Sequence, residues 1–92
     1  MAPDKWQEGT DMHGKRVLQV RATYDREAGV WVAESDDVPG LITEADDISS
    51  LLAKLEVLIP ELLDENGGYD DKPEIPFSVM WETVQIARRH SA

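Results

Sequence analysis

From Leu18 to Tyr24 apolar and polar residues alternate strictly, with Leu18, Val20, Ala22 and Tyr24 on one side and Gln19, Arg21 and Thr23 on the other. Period two predicts a strand over residues 15–24, buried on one face. Asp25–Gly29 is polar and ends in a glycine suited to the left-handed position of a hairpin loop. VWVAES (30–35) then returns as a second strand rich in β-branched and aromatic residues. It is apolar on both faces, Val30 and Val32 against Trp31 and Ala33. Burial on two sides in a small protein calls for a second layer or a partner.

The run DDVPGL (36–41) predicts a type II turn, because Pro39 fixes φ at the second position and Gly40 supplies positive φ at the third. Leu41, Ile42 and Thr43 form a short third strand, and Asp46 or Asp47 caps a helix. Ile48, Leu51, Leu52, Leu55, Leu58, Ile59, Leu62 and Leu63 make one apolar stripe at helical spacing. Pro60 interrupts it, either kinking the helix or opening a second one at PELLDEN. Gly67 and Gly68 end the helical stretch, and residues 69–76 form a loop. FSVMWETVQIA (77–87) is the last strand, with Phe77, Val79, Trp81 and Thr83 on one side. The expected fold is α+β, ordered β-β-β-α-β: an antiparallel sheet with one helix, kinked or broken at Pro60, on one face. The domain spans residues 15–87, between a disordered tail at 1–14 that includes Trp6 and a charged tail at 88–92.

Ninety-two residues, 41% of them apolar, suffice for one modest core. Nineteen acidic and nine basic residues give a formal net charge of −10. From Glu27 to Ala53 there are seven carboxylates and no Lys or Arg. Such a chain repels nucleic acid and anionic membranes and attracts a cationic protein. Without cysteine there is no disulfide, thiolate metal site or thiol chemistry. Residues 1–16 lack the apolar core of a signal peptide and no apolar run is long enough to span a bilayer, so a cytoplasmic location is expected.

Asp36, Asp37, Glu44, Asp46 and Asp47 offer the hard oxygen ligands that magnesium or calcium prefers. Their spacing does not match a calcium loop, and the solvated rim of a turn and helix cap outweighs the metal reading. His13 and His90 both stand near chain ends, a poor base for general acid–base chemistry. No glycine-rich phosphate loop is present. Trp31 and Trp81 are packing residues first, with an oligomer interface as their second use.

Together the YDREAGVWVAES hairpin, the DDVPGLITEADD turn and the leucine-rich helix resemble the HicB-like antitoxin domain over residues 16–86. The likeness is greatest to a solitary subgroup carrying VWVAESDDVPGLITEA and a PELL helix end. The resemblance implies a partial RNase H-like fold without nuclease activity or cofactor, assembled as dimers or tetramers. It also implies a partner, a small basic toxin ribonuclease. Carried over by position, the contact falls on Asp36, Asp37, Pro39, Gly40, Glu44 and Asp46, with Asp47 as helix cap. Two-component members append a DNA-binding segment, whereas only ARRHSA follows the last strand here, so direct DNA binding is not expected. The alternatives are a magnesium-dependent nuclease of RNase H-like type that uses the same carboxylates, and a structural oligomer with an unknown ligand.

Overall fold

Strand alternation and the leucine row meet in the computed structural model, which describes residues 16–67 and 73–90. The tail expected at 1–14, with Trp6 and His13, lies outside the described residues. Strand β1 spans Leu18–Asp25, β2 Val30–Glu34 and β3 Ile42–Ala45; helix α1 spans Ile48–Glu65 and strand β4 Phe77–Glu82. The fold is α+β, and the strands lie in the order β3-β2-β1-β4.

The first three strands pair antiparallel as expected, but β4 joins β1 in parallel, so the sheet is mixed. The helix accounts for the difference. Eighteen residues of α-helix run back roughly 27 Å from the far end of β3. The chain therefore re-enters the sheet at the end where β3 began, and β4 must point the same way as β3 and β1. Its register sets Leu18 beside Phe77, Val20 beside Val79 and Ala22 beside Trp81.

One side of the sheet is dry. Leu18, Val20, Ala22, Ala33 and Ala45 point from the strands towards the helix row Leu51, Leu55, Ile59 and Leu63, with Val38 and Leu41 closing the end. Leu52, Leu58 and Leu62 flank that row half-buried, while Ile48 is more exposed. The helix does not break at Pro60. The proline removes one hydrogen bond, to the carbonyl of Glu56, and its ring faces a cleft beside Pro73, Ile75 and Phe77.

Local chemistry sets the connections. The Asp25 carboxylate accepts from the amides of Glu27 and Ala28, and Gly29 takes φ +71°. In the second turn Leu41 N–H donates to the Val38 carbonyl at 3.1 Å and Gly40 has φ +85°. Asn66 closes the helix, its side-chain amide donating to the carbonyls of Leu62 and Pro39 and so tying the helix end to this turn.

The last strand is shorter than its sequence suggests. Its ladder ends at the Thr23–Glu82 pair, two residues before β1 itself ends at Asp25, and residues 83–90 continue exposed without strand pairing. From residue 85 onward β1 offers no neighbour at all.

Two stability outcomes follow. A Cβ at Gly40 would find its nearest neighbour, Leu62 Cδ2, at an unstrained 3.7 Å, so only the backbone angle opposes substitution. Gly40→Ala should cost about 1–2 kcal/mol in urea unfolding. Leu55→Ala, at a fully buried site, should cost about 2–5 kcal/mol, while Val57→Ala on the exposed helix side should be nearly neutral.

Candidate functional site

The carboxylates of residues 36–47 do not form one cluster. β3 is four residues long, about 13 Å, and it separates Asp36 and Asp37 from Asp46 and Asp47 at its other end. Glu44 lies between them on the side of the sheet away from the helix. Among the described residues, no three of His, Asp or Glu converge where a metal ion could be held.

Two of the acids serve the backbone. Asp37 accepts the Gln19 amide at 2.8 Å and pairs with the Arg16 guanidinium at 2.8 Å. Ser35 hydroxyl donates to the Gln19 carbonyl and accepts from the Asp37 amide. The β1–β2 ladder stops at Arg21 and Glu34, so the Ser35 and Asp37 side chains replace the hydrogen bonds it would have made beyond that point. Asp47 is the helix cap, accepting from Ser50 N–H at 2.7 Å. That bond holds the Asp47 carboxyl below its ordinary value of 3.8.

The remaining acids gather on the bare face of the sheet. Strand alternation and register place Gln19, Arg21 and Thr23 of β1 there, beside Val32 and Glu34 of β2, Ile42 and Glu44 of β3, and Ser78, Met80 and Glu82 of β4. Arg21 is central. Its guanidinium donates to Glu34 at 3.1 Å, and that hydrogen bond and charge raise its pKa, with Asp36 and Glu82 adding attraction. Both partners are more than half exposed, so the pair orients side chains more than it stabilises the fold.

A shallow groove of about 310 Å³ runs between Arg21, Glu34, Asp36, Asp37 and Met80. Arg16 lines it as well, so three carboxylates and two guanidiniums leave one formal negative charge. With Asp37 paired to Arg16 and Glu34 to Arg21, Asp36 is the acid there that faces solvent outside those two pairs, and the apolar side chain of Met80 forms the rim.

The other sequence-derived residues fall elsewhere. Pro39 and Gly40 form the exposed tip of their turn, next to the helix end. Asp46 is exposed just ahead of the cap. Trp31 and Trp81 lie on the helix side, half-buried, their rings edge to face at 5.4 Å, with Tyr24 packed on Trp31 at 5.2 Å. The two tryptophans belong to strands that flank β1, and its Ala22, a single methyl beside Trp81, leaves room for the rings to meet. His90 is exposed near the end of the described chain.

Glu34, Glu82 and Met80 escaped the sequence reading. Alternation alone puts Glu34 opposite Trp31 and Ala33, but the approach of Glu82 depends on the pairing of β4 with β1, which no local pattern encodes.

A four-stranded mixed sheet with a helix on one face and an acidic second face defines a small open-faced α+β domain. Over residues 17–89 the chain matches the family described as Domain of unknown function (DUF1902), and it belongs to that family. Among solved structures it is similar to the hypothetical protein TTHA1013 from the extremely thermophilic bacterium Thermus thermophilus. The two are 53% identical, the match covering 80% of this chain and 100% of that one with a TM-score of 0.61. No curated protein matches the chain.

The acids that serve the backbone have measurable consequences. Asp37→Ala should cost on the order of 1.5–3 kcal/mol by leaving the Gln19 amide without its charged acceptor, and Asp37→Asn should recover part of it. The Asp47 contribution has the sign of a depressed carboxylate: present above the unfolded value of 3.8 and lost as pH falls through the lower folded value. Asp47→Ala should lower the thermal midpoint at neutral pH, with the gap to the unaltered protein closing in acid below that value.

Proposed function

We propose that the protein is a HicB-like, non-enzymatic binding module of the cytoplasm that neutralises a small basic toxin ribonuclease by covering its RNA-binding surface. The observation that carries this reading is the acidic bare face of the sheet, where Glu34, Glu44 and Glu82 stand on the strands and Asp36 lines the groove beside Arg21, against the cations Arg16 and Arg21. A ribonuclease must present cations to bind its phosphate backbone, and a protein surface of opposite sign both steers the encounter and competes for those cations. The formal charge of −10 extends the attraction beyond the groove. Glu44 and Asp46 add acidity at the far end of β3, and the Pro39–Gly40 tip stands beside Asp37. No helix among the described residues is long and apolar enough to cross a membrane.

Catalysis by the same carboxylates is the weaker reading. Asp37 and Asp47 are committed to backbone amides, and among the described residues no three acids come together as a metal site would require.

The test begins with the full chain, recovered from its native cells at low salt. A small basic protein should come with it, leave at high salt, and cleave RNA unless the acidic chain is restored in equal amount. Glu34→Lys with Asp36→Lys should abolish both retention and inhibition while the circular dichroism spectrum stays unchanged. Failure to retain any such protein at low salt overturns the proposal. Saturable magnesium-dependent amide shifts across residues 36–47 would return the nuclease reading to the lead.

A further inference from the structure

Residues 83–90, TVQIARRH, have the alternation of a strand over 83–87 and pair with no described strand. They extend beyond the last ladder position of β4, and all are exposed. Val84 is 66% exposed and Ile86 64% exposed. Both continue the parity of Met80, itself 70% exposed on the bare face. Among the described residues, the contacts that reach the arm are few. Arg26 donates to the Val84 carbonyl at 3.5 Å, and Gln85 bonds to neighbouring Thr83. β4 is also an edge strand, its outer backbone unpaired by any described strand. That edge carries no lysine or internal proline, the devices that usually guard one. The family match runs through the arm to residue 89, so the arm is part of the domain.

We infer that two copies of this chain pair through this edge, the arm of each lying antiparallel along β4 of the other. Three observations select a second copy as the occupant. The free edge is the same on both molecules, so antiparallel pairing about a twofold axis satisfies both at once and closes the assembly. Val84 and Ile86 of one copy then approach Met80 of the other on one face, covering apolar side chains that no described part of the chain shields. The charges agree as well. Arg88 and Arg89 sit on the arm of a chain whose net charge is −10, hence −12 without them, and form no ion pair among the described residues. A basic partner would be repelled by the arm, whereas a second acidic body attracts it. Nor does the arm contain a glycine or proline with which to turn back onto its own sheet.

The experiment uses the pure full-length chain, with no toxin, and so is independent of the function proposed above. Sedimentation should give twice the chain mass at micromolar concentration. Val84→Asp with Ile86→Asp should weaken association at least ten-fold, and Arg88→Glu with Arg89→Glu should weaken it in a salt-dependent way. Both variants alter exposed residues and should keep the thermal midpoint at dilutions where all are monomeric. Location is read separately, with a nitroxide on Gln85→Cys, the chain having no other cysteine. Mixed with isotope-labelled unmodified chain, it should broaden amides 77–82 of the second copy. A monomer at all concentrations, a dimer indifferent to the Asp substitutions, or broadening confined to the helix side of the sheet would each overturn the inference.

Discussion

A single helix can dry only one face of a sheet, and the rest of this molecule follows from that limit. The buried strand residues Leu18, Val20, Ala22, Ala33 and Ala45 share the face beneath α1, and every fully buried helix residue belongs to the row that meets them. The small residues Ala22, Ala33 and Ala45 let the helix and the rings of Trp31 and Trp81 sit close to the sheet. With the core confined to one side, the opposite face must live in water or beneath another molecule. Its composition answers in both ways: Arg21, Glu34, Glu44 and Glu82 are solvated, while Ile42 and Met80 are apolar and largely bare.

The same limit gives the acidic residues unequal jobs. Where β2 leaves the sheet, the Gln19 amide loses its ladder partner, and the nearest group able to replace it is the Asp37 carboxylate. Where α1 begins, its first amides need an acceptor and Asp47 supplies one. A run of carboxylates that looks uniform in sequence is thus divided by backbone demand. What is left over for binding is the part that no amide claims, Glu34, Asp36 and Glu82 around Arg21 and Glu44 and Asp46 beyond.

Local physics was legible in the residues, and long-range pairing was not. The type II turn at Pro39–Gly40, the hairpin ending at Gly29, the Asp47 cap and the leucine row each depend on neighbours within a few positions. The parallel entry of β4 depends instead on where an eighteen-residue helix delivers the chain, a property of length and docking rather than of any motif. The end of β4 shows the same divide. Thr83–Ala87 has the β-branched alternation of a strand, yet a ladder needs a neighbour, and β1 extends only two residues past its last pair with β4, too short to hold this segment. Glu82 was missed for the same reason, since only the β1–β4 register brings it towards Arg21.

Pairing through β4 and binding a basic protein on the bare face make compatible demands. In the order β3-β2-β1-β4 the edge that would join two copies borders the groove, whose acids stand on β2 and the turn after it while Met80 of β4 forms the rim that the second copy's arm would cover. Antiparallel joining of identical edges puts the twofold axis perpendicular to the sheet, so both bare faces would look the same way. Two acidic grooves would then stand on one continuous surface, separated by the paired edge strands and the basic arms. A cationic partner would meet twice the attraction of a single face, and a twofold partner would engage both grooves at once, the second contact being intramolecular. The arms would concentrate positive charge at the seam and leave the flanking acids to the partner, so self-association would sharpen the electrostatic pattern rather than mask it.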